Sequence, residues 1–179
     1  MTCSQEDLQL KEYVLSVILK NELAALARVI GLLSGRGFEI ESLTVAPVNR
    51  EVSRMTLVCL APTSSRQVID QVMRQIQKLI PIDRVRDLTD DPERIDRELT
   101  ILRVDVTKKE KRKAARSIAE KHGAIELQCT RGSIVFVYHE PGLKMFQDIA
   151  SQLGKLGNVA VARGGLVSLG GRKTIREVR

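Results

Sequence analysis

Twice along this chain the apolar residues change period in the same order, from two to about 3.6 and back, and this repeat most constrains what it can fold into. Tyr13 to Leu19 is a dense strand-like run. Leu23, Leu26, Val29, Ile30 and Leu33 then recur at helical spacing, and Ser34-Gly35-Arg36-Gly37 follows, where a left-handed glycine can cap a helix. Phe38 to Ala46 reads as a strand, Pro47 and Asn49 as a turn, and Ser53 to Leu60 as an antiparallel partner. Pro62-Thr63-Ser64-Ser65 opens a second helix with Val68, Val72, Ile76 and Leu79 on one face. Pro81 stops that helix, and Ile82 to Leu88 is a short last strand.

Thr89-Asp90-Asp91-Pro92 is an acidic, turn-forming link, after which the order repeats. Leu102, Val104 and Val106 alternate with polar residues; Lys108 to His122 is a basic helix with Ala115, Ile118 and Ala119 as its apolar stripe, ended by Gly123. Ile125, Leu127 and Cys129 alternate, Arg131-Gly132 turns, and Ile134 to His139 returns. Pro141-Gly142 opens a helix with Leu143, Phe146, Ile149 and Leu153 on one side, and Asn158 to Ala162 closes as a strand. The fold class is α+β, two tandem ferredoxin-like βαββαβ domains. The boundaries read as an N-terminal extension over 1–12, a first domain over 13–89, a linker over 90–98, a second domain over 99–166 and a basic tail over 167–179. Helices cover only one face of each sheet, so the other calls for a second sheet or a second subunit, and an oligomer is expected.

Composition and motifs exclude most chemistry. His122 and His139 have no metal-ligand partner at useful spacing, and neither a serine nor a cysteine lies in a nucleophile-elbow sequence. Gly31, Gly35 and Gly37 lie inside and after a helix, the wrong place for a dinucleotide fingerprint. The Gly170-Gly171-Arg172-Lys173 stretch precedes no clear helix. Asp90, Asp91 and Glu93 read as a solvated charge run, and Cys59 and Cys129 as small core residues. The expectation is a non-catalytic protein with no metal and no cofactor of its own. No apolar run reaches the length of a membrane span, and the start lacks a signal sequence, so a cytoplasmic protein without a membrane partner is expected.

The net charge of +7 splits into −2 over residues 1–96 and +9 over 97–179. The basic half raises an RNA-binding module as one reading. Aromatics are only 3% of the chain, and Tyr13, Phe38, Phe136 and Tyr138 do not form the base-stacking motif such sheets use. No nucleic-acid partner is expected. The basic helix reads as a solvated face or a dock for an acidic partner.

One loop does carry chemistry. Asn21 to Ala25 joins a strand to a helix N-terminus, whose free N–H groups and dipole favour a carboxylate. The Asn21 side-chain oxygen and nearby carbonyls could take an ammonium, and Ala24 and Ala25 are small enough to let a ligand approach. Asn21 could equally be a plain helix cap.

The stretch NELAALARVIGLLSGRGFEIESLTVAPVNREVSRMTL closely resembles the ACT domain of the acetohydroxyacid synthase (acetolactate synthase) small, regulatory subunit family. The residues that carry the resemblance are Asn21, Leu26, Arg28, Val29, Gly31, Leu32, Ser34, Arg36, Gly37, Phe38, Ile40, Ser42 to Val45 and Ser53 to Thr56. Arg97-Glu98-Leu99 and Ala162-Arg163-Gly164-Gly165 resemble thinner motifs of the family's second domain. The resemblance implies a homodimer through ACT domains that binds a catalytic subunit, raises its activity and transmits feedback by a branched-chain amino acid, usually valine. It implies an effector site shared by two chains: Asn21, Glu22, Leu23, Ala24, Ala25 and Leu26 from one, and Gly37, Phe38, Glu39 and Ile40 from the other. Thiamine diphosphate, magnesium and FAD would belong to the catalytic subunit. Two positions depart from the family pattern: Ala24 stands for a loop glycine, and Glu39 for an asparagine. Both point to an altered valine response, and they keep open an ACT-type amino-acid sensor that serves another enzyme.

Overall fold

The computed structural model describes residues 10–35, 39–62, 66–140 and 142–171. Its elements run β1 (Leu10–Lys20), α1 (Leu23–Ser34), β2 (Glu39–Pro47), β3 (Val52–Pro62), α2 (Arg66–Gln77), β4 (Ile82–Asp87), β5 (Ile95–Asp105), α3 (Lys109–Lys121), β6 (Ile125–Cys129), β7 (Ser133–Tyr138), α4 (Leu143–Gly154) and β8 (Val159–Leu169). The βαββαβ order therefore occurs twice. The strands form two four-stranded sheets, ordered β2-β3-β1-β4 and β6-β7-β5-β8. Two compact units result: Met1–Ile95 with Val167–Arg179, and Asp96–Leu166.

In the first unit β1 is central and antiparallel to both β3 and β4. Its odd-numbered residues Tyr13, Leu15, Val17 and Leu19 meet Met55, Leu57 and Cys59 of β3 in one core. Ala25, Val29 and Leu33 of α1 and Ile69, Val72 and Ile76 of α2 close that core at helical spacing. Each fully buried Leu, Ile or Val there contributes about 1.5–3 kcal/mol. The α2 stripe is turned from the one the spacing predicts: Ile69 is buried and Val68 is exposed.

The opposite face of this sheet also carries buried residues. Val14, Ser16, Thr56 and Val58 are all buried, and the Ser168 N–H donates to Thr56 Oγ1 at 3.4 Å.

In the second unit Leu102, Val104, Ile134 and Phe136 pack under Ala115 and Ala119 of α3 and Ile149 and Leu153 of α4. Three readings need correction. The strand read from Leu102 begins at Ile95, because Glu98 is buried in alternation with Thr100, Leu102 and Val104. The strand read as ending at Ala162 runs to Leu169 through Gly164 and Gly165, so the expected tail starts inside a strand. Cys129 is exposed, because all five residues of the edge strand β6 face solvent.

Glycine has distinct uses at two helix ends. Gly123 has φ +70° after α3, and the Ala124 and Gly123 N–H groups bond to Ala119 O and Glu120 O, closing the helix. Gly35 instead ends α1 in a right-handed conformation, with φ −65°. The left-handed cap predicted at Ser34 to Gly37 is therefore not made by Gly35, and Gly37 lies outside the described residues.

Candidate effector-binding loop

The loop between β1 and α1 is held by its backbone. The Lys20 N–H donates to Pro81 O at 2.8 Å, and the Asn21 N–H to Glu51 O at 3.0 Å. Asn21 is not the helix cap. Glu22 holds that position with extended backbone angles and makes no side-chain capping bond. The Asn21 side chain instead crosses to the β2–β3 turn, where its Nδ2 donates to Asn49 O at 3.1 Å and its Oδ1 accepts from the Ser53 hydroxyl. The Asn49 Oδ1 in turn accepts from the N–H groups of Glu51 and Val52, at 2.8 and 2.9 Å. Asn21 is thus the peg that joins the loop to an asparagine-built turn.

Composition alone did not single out Asn49 and Ser53 for this role. Their signal is register: Lys20 pairs with Val52 and Leu19 with Ser53, so the turn sits beside the loop. The predicted use of Asn21 Oδ1 as an acceptor for a ligand ammonium competes with the Ser53 hydroxyl.

The helix start itself presents donors. Ala25 N–H bonds back to Glu22 O at 3.0 Å, while the N–H groups of Leu23 and Ala24 have no partner among the described residues. The first turn of α1 contains no acidic residue, and the one carboxylate at that end is Glu22 at the N-cap. Ala24 is exposed, Ala25 is buried in the core, and Leu26 is half-buried. Such a start suits a small carboxylate.

The second predicted segment lies elsewhere. Glu39 pairs with Leu60, which pairs with Glu12 at the beginning of β1, whereas the loop follows Lys20 at its end. Eight residues of strand separate those rows, about 26 Å at 3.3 Å per residue. Within one chain the structure does not bring Asn21–Leu26 and Glu39–Ile40 together. Glu39 is exposed and Ile40 packs partly on the core, while Gly37 and Phe38 lie outside the described residues.

Among the described residues no group of His, Cys, Asp and Glu is placed to hold a metal ion, and no helix is long and apolar enough to cross a membrane.

The fold is that of an ACT-type domain followed by a second ferredoxin-like domain, and a family model described as the AHAS small subunit-like ACT domain matches residues 15–83. The acetolactate synthase small subunit of Buchnera aphidicola (Baizongia pistaciae) is 30% identical over 162 residues, covering 89% of this chain and 98% of that one. The isozyme 3 small subunit of Salmonella typhimurium is 33% identical over 158 residues, covering 87% and 93%. The probable small subunit of Archaeoglobus fulgidus is 33% identical over 161 residues, covering 86% and 98%. The crystal structure of the Thermotoga maritima small subunit shares the fold, with a TM-score of 0.76 at 20% identity over 89% of this chain and 96% of that one. The chain belongs to the acetolactate synthase small-subunit family.

Proposed function

We propose that this chain is the non-catalytic regulatory subunit that binds the acetolactate synthase catalytic subunit, raises its activity and carries feedback control by a branched-chain amino acid. The effector lies between two chains, against Asn21–Leu26 of one and Gly37–Ile40 of the other. The observation that carries this reading is the separation of the two segments across the sheet. β2 is an edge strand, the side of the sheet against which a second copy can pair. Antiparallel pairing of two β2 edges about a two-fold axis sets the Glu39 end of one strand beside the Pro47 end of the other. The Pro47 end is the loop end, because Pro47 pairs with Ser53, the partner of Asn21. A homodimer made this way completes the site that one chain leaves divided.

The effector's carboxylate sits on the free N–H groups of α1, and its ammonium on backbone carbonyls. Ala24 narrows the approach to that helix start, and Glu39 adds a negative charge near the carboxylate, so valine is bound more weakly than by a site with glycine and asparagine. Thiamine diphosphate, magnesium and FAD are assigned to the catalytic subunit, and the complex is assigned to the cytoplasm. The same two departures favour a second reading, an amino-acid sensor for a different enzyme.

Reconstitution decides between them. This chain is added to the acetolactate synthase catalytic subunit of the same organism, and the rate is followed with and without valine, leucine and isoleucine. Activation is the expected result. An unchanged rate under every condition overturns the regulatory-subunit reading.

A further inference from the structure

A closed ring of hydrogen bonds joins the effector loop to the β2–β3 turn. The Asn21 N–H donates to Glu51 O at 3.0 Å, the Glu51 N–H donates to Asn49 Oδ1 at 2.8 Å, and Asn49 O accepts from Asn21 Nδ2 at 3.1 Å. The Val52 N–H adds a second bond to Asn49 Oδ1 at 2.9 Å, and the Val48 N–H closes the turn on Val52 O at 2.9 Å. Ser53 completes the grip by donating its hydroxyl to Asn21 Oδ1. Neither Asn49 nor Ser53 belongs to the segments assigned to the effector.

This ring fixes the Asn21 amide in one orientation. A flipped amide would set its oxygen against the Asn49 carbonyl, and neither of those groups can donate. The two anchors stand on different footings. Ser53 is buried on β3, and its row is set by pairing with Leu19 of β1 and Pro47 of β2. Asn49 is exposed in the turn, so its side chain serves the turn's own backbone. Asn21 lies one residue before Glu22, the N-cap of α1. Whatever moves Asn21 therefore moves the start of the helix on which the effector's carboxylate is placed.

We infer that Asn49 and Ser53 are positioning residues for the effector site, holding the start of α1 in place through Asn21, whose amide serves as their anchor rather than as the reader of the ligand's ammonium. The inference rests on the effector reading above and deepens it: determinants of the response lie in the β2–β3 turn, outside Asn21–Leu26 and Gly37–Ile40. Apparent affinity scales with the fraction of molecules whose loop is in place, so a loosened turn weakens binding without removing a ligand contact.

The sign of the Ser53→Ala effect is the test. An Asn21 Oδ1 that served the ligand in competition with Ser53 would be freed by this change, and binding would tighten. Valine, leucine and isoleucine are each titrated by calorimetry into the full-length chain and into Ser53→Ala, Asn49→Ala and Asn49→Asp, with melting transitions recorded. Amide hydrogen exchange over residues 20–26 is followed without ligand. The expected result is a dissociation constant raised about fivefold or more in both alanine variants, with faster exchange at the Asn21 N–H. Asn49→Asp keeps the parent affinity, because its carboxylate still accepts from the Glu51 and Val52 N–H groups. Asn49 is exposed, so its variants keep the test valid if Ser53→Ala melts early. Tighter binding by Ser53→Ala, or unchanged affinity in both alanine variants, overturns the positioning role and leaves the effector site standing. A parent chain that binds none of the three amino acids removes both.

Discussion

Glu98 and Arg163 form a two-point ion pair, Nε to Oε1 at 2.7 Å and Nη2 to Oε2 at 2.9 Å, that locks the start of β5 to the middle of β8. Glu98 is only 5% exposed, and the Arg163 guanidinium also lies 5.0 Å over the ring of Phe146 on α4. The two short motifs of the second domain, Arg97-Glu98-Leu99 and Ala162-Arg163-Gly164-Gly165, thus meet as one structural joint. Replacing Arg163 by Ala leaves a buried carboxylate unpaired and removes the cation from the ring. The expected cost is about 3–5 kcal/mol in urea denaturation. A Glu98→Leu/Arg163→Met double variant, which leaves no buried charge, costs clearly less.

Gly157 has no room for a side chain. A Cβ there would sit 2.0 Å from the Asp105 carbonyl oxygen, and backbone cannot yield cheaply. Gly157→Ala is expected to destabilise the chain by more than about 2 kcal/mol, seen as a lowered melting temperature. Gly31 in the exposed side of α1 provides the contrast, since nothing lies within 4 Å of its added Cβ. Gly31→Ala is expected to raise stability by about 0.5–1 kcal/mol through helix propensity.

The two described cysteines differ in reactivity. Burial pushes the Cys59 thiol up to about 11 from its ordinary 9.0, whereas Cys129 is exposed beside Arg112 and Arg116. Thiol alkylation of the native protein is expected to modify Cys129 and to spare Cys59 until the chain unfolds, as mass spectrometry of the labelled peptides would show. The pH sign follows. Folding raises the Cys59 pKa, so the folded state keeps the proton that the unfolded state loses first. That stability is complete below about 9 and is lost as pH rises towards about 11. Cys59→Ala is expected to flatten this alkaline limb of the stability–pH curve.

Ala24 at the start of α1 and Glu39 on β2 give a gain-of-function prediction. Ala24→Gly with Glu39→Asn opens the α1 N-terminus and removes a negative charge, so valine is expected to bind about tenfold tighter, equal to 1.4 kcal/mol. Calorimetric titration with valine reads this directly. The double variant binding valine no better than the parent would show that neither residue touches the effector.

The alternation of period along the chain by itself determined the element order and most of each unit's core. These are local: a residue two or 3.6 positions from its neighbours faces the same side wherever the chain goes. The ACT-type stretch from Asn21 to Thr56 was legible for the same reason, since its residues are close in sequence. Tertiary structure decided what depends on distant partners. Glu98 looked like linker because a charge is buried only when its counter-charge is near, and Arg163 is 65 residues away. Cys129 looked like core because alternation cannot tell an edge strand from a central one. Asn21 looked like a cap or a ligand group until the strand register set Asn49 and Ser53 beside it. The same register placed Asn21–Leu26 and Glu39–Ile40 at opposite ends of one sheet, a separation that side-chain chemistry alone could not reveal.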